Sequence, residues 1–362
     1  MLHGATLADA TLKQAGLNTF SVAGGTHGNI IASMHRPPPQ GLYTNRPSAP
    51  TPASLPGNST LDGIDSALAA AHGLYGSPNE PTVRGTCTLM PAQPRNVNIA
   101  DERPIEHALW VRAPPIPAFR AIFPSEVLRR THLAPSRALL FTPYDHALEV
   151  RYEVAVVYHR AGYEPVEYAT DEDGRSAGRD ARLRMERSRE VQCPPVGTHL
   201  ATLKPVQRTL ARPGAVEWFL PMHEAESVRQ TFVQMIALDE PAAADIVADE
   251  EQARGWVRKR GAREGGGHNV CRGAIPAFVD ALGVEDRGGY LLMEAIEPPR
   301  EVEGVLVLPD GGVVEGSVVG VFGMCVWRQG AEPEDERDPP KVGMLMNQTA
   351  GWSFKRMWMR WA

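Results

Sequence analysis

The stretch RPPPQGLYTNRPSAPTPASLPGN puts seven prolines between Arg36 and Asn58, and it limits the fold more than any other part of the chain. Proline fixes φ and lacks an N–H, so such a run enters neither a helix interior nor a central strand. It reads as an extended linker or surface loop, and regular structure has to be built on either side of it.

Before it, residues 11–35 read as two short segments around Gly24 and Gly25, ending in an apolar helical patch, IIASMHR. After it, LDGIDSALAAAHGLYG puts Leu61, Ile64, Leu68, Ala71 and Leu74 on one helical face, with Gly76 as a stop. Cys87 to Pro91 reads as a strand and ADERPIEHALW as the helix after it. Residues 137–142 and the β-branched run VAVVY, Val154 to Tyr158, read as buried strands. This alternation predicts a small α/β lobe. RDARLRMERSRE, residues 179–190, has few apolar positions and reads as an exposed helix face laced with opposite charges. The acidic stretches DEPAAADIVADEEQ and AEPEDERDPP read as solvated loops or helix ends. Three strand-like runs, Tyr290 to Ile296, Val305 to Leu308 and Val318 to Trp327, make the final third sheet-rich, and there is no internal repeat.

A chain of 362 residues that is 43% hydrophobic can bury a sizeable core in two or three lobes. With 37 Lys plus Arg against 43 Asp plus Glu, the net charge of -6 argues against a protein that coats nucleic acid. Cys87, Cys193, Cys271 and Cys325 form no CxxC pair and have no His at zinc-ligand spacing, so they read as reduced, mostly buried thiols. No basic start with an apolar core opens the chain, and no apolar run reaches the roughly 18 residues of a membrane helix. A cytoplasmic location without a membrane partner is expected, which leaves the sequons at Asn58 and Asn347 unused.

REGGGHN, Arg263 to Asn269, sets three glycines between a carboxylate and an amide. Glycine lets backbone N–H groups approach a ligand closely, which suits a phosphate chain carrying a metal ion. The loop is neither a Walker loop nor a GxGxxG fingerprint. A flexible surface turn is the other reading of those residues taken alone.

Several stretches in order resemble eukaryotic glutathione synthetase, an ATP-grasp ligase. They are LKQAGLNTFSVAGG at 12–25, the helix at 61–76, VAVVYHRAGYEPVEY at 154–168, ARLRMERS at 181–188, QCPPVGTHLATLKPVQRTLARPG at 192–214, REGGGHN, and YLLMEAIEPP at 290–299. The resemblance implies an α/β ATP-grasp scaffold with an inserted small α/β substrate-binding lobe. The expected divisions are a partial N-terminal ATP-grasp region at 1–91, the substrate lobe at 92–203, and the C-terminal ATP-grasp region at 204–362. It also implies ATP-dependent ligation of γ-glutamylcysteine and glycine through an acyl phosphate, with Mg²⁺ and, as in its relatives, a homodimer. Such chemistry gathers anionic partners and neutralises them with cations and hard-oxygen metal ligation.

By the same resemblance Glu264 and Asn18 are metal ligands, and Glu264 and Arg160 carry catalytic roles. Lys204, Arg260, Arg263, Gly265, Gly266, Gly267 and Asn269 meet ATP, and Met293, Glu294, Ala295 and Ile296 form the strand that offers backbone groups to adenine. Ser21, Asn98, Arg160 and Tyr163 bind the peptide substrate, an Arg fork suiting a carboxylate. The chain also departs from the pattern. Gly16 stands in place of a metal-binding Glu, Arg260 in place of a phosphate-binding Lys, Glu102 in place of a Gln, and Asn96 in place of an acidic residue. Cys271 and Val318 replace an aromatic and a Glu. Lys259, next to Arg260, points to the other face of a strand and does not simply substitute for it. Relative to the family, an N-terminal segment and a glycine- and alanine-rich lid are expected to be missing, and Lys355 lies near the place of a substrate Arg. The alternative reading is a non-catalytic or truncated homologue that binds glutathione, γ-glutamylcysteine or nucleotide, or that regulates a full-length subunit.

Overall fold

The computed structural model describes residues 2–6, 8–35, 57–96, 98–143, 150–261, 270–271, 273–297, 299, 305–307, 313–315, 318–329 and 342–355. The proline-rich stretch up to residue 56, the glycine loop at 262–269 and the acidic stretch AEPEDERDPP lie outside them. The chain divides into two compact units, one of Met1–Thr19, His199–Val319 and Phe354–Ala362, the other of Phe20–Thr198 and Gly320–Ser353. The second unit is thus largely inserted in the first, and it takes in residues 20–91, which the sequence division assigned to a separate region.

In the inserted unit, parallel pairing joins the strand Thr86–Ala92 to Ala118–Ile122 on one side and to Tyr152–Tyr158 on the other. Tyr152–Tyr158 also pairs in parallel with Val191–Cys193 through its second half. Its first half pairs antiparallel with Leu139–Phe141, which in turn pairs with Thr131–Leu133. All seven residues of Tyr152–Tyr158 are buried, because helices cover both faces of the sheet. On one face Met90, Val156 and Tyr158 pack with Ile64 and Leu68 of the helix Thr60–Tyr75 and with Ile105 and Leu109 of the helix Ile99–Trp110. On the other, Leu89, Val154 and Val157 pack with Ala181 and Met185 of the helix Ala177–Glu186. A β-branched run without alternating polarity is what burial on both faces requires.

Two expectations change in detail. The helix around residue 180 is not an exposed charged face throughout, since Gly178, Ala181, Arg182 and Met185 are buried. Arg182 lies there with its guanidinium donating to Pro194 O at 3.1 Å and Glu186 Oε1 at 2.8 Å from its Nε, which is how a charged residue occupies an inward position. The acidic stretch after residue 238 forms the short helices Pro241–Ala248 and Glu250–Ala253, with Ala243, Ile246 and Ala253 inside.

The other unit has an antiparallel sheet in the order Val270–Cys271, Trp256–Arg260, Tyr290–Glu294, Met235–Ala237. Leu292, Ile236, Ile275 and Val279 form the core on one face, and Leu291, Met293, Val233 and Ile296 form a smaller one on the other, with Ala15 against it. No helix among the described residues is long and apolar enough to cross a membrane.

One buried carboxylate holds the amino-terminal end of the parallel sheet. Glu153 is fully buried, and its Oε1 accepts from Tyr75 Oη at 2.5 Å and Asn79 Nδ2 at 2.7 Å. Its Oε2 accepts from the backbone N–H groups of Asn79 at 2.8 Å and Glu80 at 2.9 Å. Burial pushes its pKa up, but these donors outweigh that and hold it below the ordinary carboxylate value. Its contribution is therefore complete above the unfolded-state value and is lost as pH falls through the lower folded one. Glu153→Gln turns an amide N–H₂ toward donors, and we expect it to lower unfolding free energy by about 1.5–3 kcal/mol at neutral pH. Urea unfolding at pH 7 and at acid pH reads this, and the gap between wild type and variant should narrow on acidification.

Candidate functional site

The strand Tyr152–Tyr158 delivers Arg160 to the carboxyl-terminal end of the parallel sheet, the end where open α/β sheets hold their ligands. The helix Ile99–Trp110 begins beside it and presents Asp101 and Glu102 in its first turn, where the helix dipole favours carboxylates. Arg160 is 2% exposed and its guanidinium is engaged in every direction. Nε donates to Glu102 Oε1 at 3.2 Å, Nη2 to Asp101 Oδ2 at 3.3 Å, and Nη1 to Val22 O at 2.8 Å and to Tyr158 Oη at 3.2 Å. Burial works against its charge, but Tyr158, Glu102 and Asp101 raise its pKa further, so it stays a cation. The same burial pushes the nearby Cys193 thiol up to about 11, which makes it a poor nucleophile.

Asp101 also accepts from the backbone N–H groups of Gly24 at 3.1 Å and Thr26 at 2.9 Å, and Thr26 Oγ1 donates back to Asp101 O at 2.8 Å. It thus stitches the turn before the helix Gly25–His35 to the sheet end. Glu102 Oε2 accepts from Asn96 Nδ2 at 2.5 Å, and Asn96 Oδ1 accepts from Asn98 N at 2.9 Å. The Glu102 carboxylate expected to face a substrate as a like charge is therefore spent on Arg160 and Asn96. The group sets two carboxylates against one guanidinium in a buried place, with His27 Nδ1 3.6 Å from Asp101 Oδ1.

Ser21 is buried with φ of 44°, a backbone conformation that costs a non-glycine residue energy and concentrates at functional positions. Phe20, next to it, stacks on His159 at 5.7 Å, meets Tyr163 edge-on at 6.1 Å, and lies under the Arg182 guanidinium at 5.7 Å. Asn98 sits at the helix start without a side-chain capping bond. So the structure groups Ser21, Tyr163 and Arg160 around one sheet end, with Asn98 bound through its backbone to Asn96. Sequence reasoning missed Asp101, Tyr158, Phe20, His159 and Arg182. Acidic residues in a helix's first turn, next to a named binding Asn, were the available signal for Asp101.

In the other unit, strand alternation sorts the cations. Lys259 shares a face with Val257, Leu291 and Met293, and its Nζ donates to Ala15 O at 2.9 Å. Arg258 and Arg260 take the opposite face, with Arg258 at 3.9 Å from the Phe278 ring centre and Arg260 at 6.0 Å from that of Tyr290. Lys204 Nζ donates to Gln207 Oε1 at 2.9 Å, and a Cβ on Gly16 would lie 2.6 Å from that same Nζ. Gly16 thus leaves room for an ammonium where the resemblance puts a metal-binding carboxylate. Asn18 is exposed. Met293 and Ile296 are buried, while the backbone N–H groups of Glu294 and Ala295 already donate to Gln234 O and Gly255 O. Arg263, Glu264, Gly265, Gly266, Gly267 and Asn269 lie outside the described residues. Among the described residues no group of three or more His, Cys, Asp or Glu comes together as a metal would require, and Glu264 lies outside them.

A mixed α/β chain with an α/β unit inserted within another, and a cation-bearing antiparallel sheet in the second, has an ATP-grasp-type fold. The family model for the ATP-binding domain of eukaryotic glutathione synthase matches residues 1–357, and the chain belongs to that family. It is 32% identical to glutathione synthetase of Homo sapiens over 323 residues, which is 87% of this chain and 62% of that protein. It is 34% identical to the Rattus norvegicus glutathione synthetase over 328 residues, 88% of this chain and 63% of that one. To the glutathione synthetase large chain of Schizosaccharomyces pombe it is 29% identical over 338 residues, 87% and 63% of the two chains. The chain thus spans less than two thirds of the length of these curated relatives. Its fold is similar to that of a glutathione synthetase-like effector from Globodera pallida, solved in apo form, with a TM-score of 0.61 and 19% identity. That likeness covers 90% of this chain and 66% of the effector.

Removing the cation from a buried three-charge group leaves both carboxylates unpaired. Arg160→Met should therefore lower unfolding free energy by about 3–5 kcal/mol, and Glu102→Gln by much less. Denaturant unfolding of both variants checks this, and a loss at Arg160→Met no larger than that at Glu102→Gln would show that the pairing does not hold this sheet end.

Proposed function

We propose that the chain works as an ATP-dependent carbon–nitrogen ligase that joins γ-glutamylcysteine to glycine to make glutathione. The observation that carries this is the family membership over residues 1–357. In the reaction, a carboxylate oxygen of γ-glutamylcysteine attacks the γ-phosphorus of ATP and ADP leaves. The glycine amine then attacks the acyl carbon, and phosphate leaves with the amine proton lost to solvent. The peptide roles belong to Ser21, Asn98, Arg160 and Tyr163. The nucleotide roles belong to Lys204, Arg260, Arg263, Gly265, Gly266, Gly267, Asn269 and the 293–296 stretch. Mg²⁺ accompanies ATP in this reading with Asn18 and Glu264 as its ligands, and supplies charge neutralisation when bound. Substrate lobe boundaries near 92 and 203, a cytoplasmic location and a homodimer belong to the same reading.

The closed state of Arg160 favours a second reading, a homologue that binds without turning over. All three nitrogens of its guanidinium already have partners, so a substrate carboxylate that takes its fork has to displace Glu102 or Asp101. The two readings separate on ADP release by purified chain with Mg²⁺ and ATP. Ligation predicts release that requires γ-glutamylcysteine and glycine together. Release with γ-glutamylcysteine alone means the acyl phosphate forms and is lost to water. No release from a cooperatively folded sample removes the ligase reading and leaves the binding one.

The strand faces also discriminate among the phosphate cations. Lys259 stands with Met293 and next to Ala15, whereas Arg260 stands over Tyr290. Arg260→Met should weaken ATP binding about tenfold or more, the worth of a charged hydrogen bond, and Lys259→Met, whose ammonium is held by Ala15 O, should weaken it less. Equilibrium dialysis with labelled ATP measures both, and the reverse order would move the phosphate role to Lys259.

A further inference from the structure

The parallel sheet of the inserted unit has a second concave place, at the end away from Arg160. A cavity of about 550 Å³ opens at the amino-terminal ends of the strands, lined by His72, Arg84, Trp110, Pro117, Phe119 and Tyr152 among others. The strand Thr86–Ala92 runs its seven residues away from it, so it lies roughly 20 Å from the sheet end that carries Arg160 at about 3.3 Å per residue.

Three rings build a fixed aromatic wall. Trp110 meets Phe119 edge-on at 5.8 Å, and Phe119 lies 5.1 Å from Tyr152 and 5.5 Å from Phe141 behind it. The Trp110 indole N–H is committed to Ala118 O at 3.0 Å, which sets the ring's orientation, yet the residue remains 42% exposed toward the opening. An indole held in place but not covered is a surface on which a flat ring can lie. The volume falls within the ordinary range for small-molecule sites.

Charge comes from one side of the cavity. His72 Nε2 is 2.9 Å from Thr86 Oγ1, and burial lowers its pKa, so at neutral pH it is an uncharged wall. Arg84 has its backbone N–H bonded to Arg151 O at 2.9 Å, and among the described residues its guanidinium has no carboxylate partner. A planar guanidinium matches a carboxylate with two parallel hydrogen bonds.

We propose that this cavity binds a small aromatic carboxylate, its ring against Trp110 and Phe119 and its carboxylate on Arg84. The site does not depend on the ligase reading, because it uses none of that reading's residues. Its test is isothermal titration of the full chain, without nucleotide, using 2-naphthoate and its uncharged analogue 2-naphthamide. The acid should bind about tenfold or more tightly than the amide, as a charge-assisted hydrogen bond requires. Arg84→Gln should bring the acid down to the affinity of the amide without changing the amide, and Arg84→Lys should restore part of the difference. Arg84 is exposed and, among the described residues, its side chain holds nothing else in place, so the variants should keep the fold. Absence of binding by the acid, or a preference for it that survives in Arg84→Gln, would overturn the proposal.

Discussion

A guanidinium buried between two carboxylates sets the geometry of the carboxyl-terminal end of the inserted unit's sheet. Arg160 lies two residues past the end of a fully buried strand, Asp101 and Glu102 open a helix on the neighbouring crossover, and the turn at Val22 to Thr26 comes from a third segment. Core packing brings the strand and the helix together, with Tyr158 against Ile105 and Leu109 and Ala161 in the cluster on the other face. Opposite charges in a low-dielectric place then fix how the three segments meet, because buried polar groups need partners. The positive φ of Ser21 fits this account. A strained residue persists where its flanks are fixed independently, and Asp101 fixes the backbone directly after it through Gly24 and Thr26.

The antiparallel sheet of the other unit obeys a different rule. Its faces are separated by the two-residue period of the strand, so adjacent basic residues in WVRKR cannot act together. Arg258 and Arg260 spend their charge over aromatic rings, where a guanidinium also packs as a flat apolar body. Lys259 reaches past the smaller core to the Ala15 carbonyl, next to the glycine that makes room for Lys204. A side chain on residue 16 would have to displace that ammonium, or pair with it if acidic. The absence of a carboxylate at this place and the presence of a lysine nitrogen there are one structural fact seen from two sides.

Much of the inserted unit was legible in the sequence because its signals are local. The spacing of Leu61, Ile64, Leu68 and Ala71 gives the helix Thr60–Tyr75, and VAVVY gives a strand covered on both faces. The helix at 177–186 was read as exposed because its buried face is built from Gly178, Ala181, Arg182 and Met185, two of them too small to register and one charged. The motif positions Ser21, Arg160 and Tyr163 were legible through resemblance, but their partners were not. That Glu102 belongs to Arg160 is a contact across 58 residues, and no period or propensity encodes it. Which face of the strand Lys259 occupies was legible as an alternation. What each face meets was not, since Met293, Ala15 and Tyr290 come from distant parts of the chain.

The charge count at Arg160 gives the inserted unit its chemical character. An incoming carboxylate finds a cation that already has two anionic partners, so binding there is an exchange of ion pairs and not the filling of an empty site. The exchange is nearly balanced in Coulomb energy, and its sign is set by desolvation: a buried carboxylate that loses Arg160 must either keep other donors or take up a proton. Asp101 keeps the backbone N–H groups of Gly24 and Thr26, and Glu102 keeps only Asn96 among the bonds described. Glu102 is therefore the more weakly anchored of the two partners, while Asp101 also holds the turn. An arginine held in this way is closed by its own chain without loss of the fold around it, and residue 102 is the point at which any opening of it would begin.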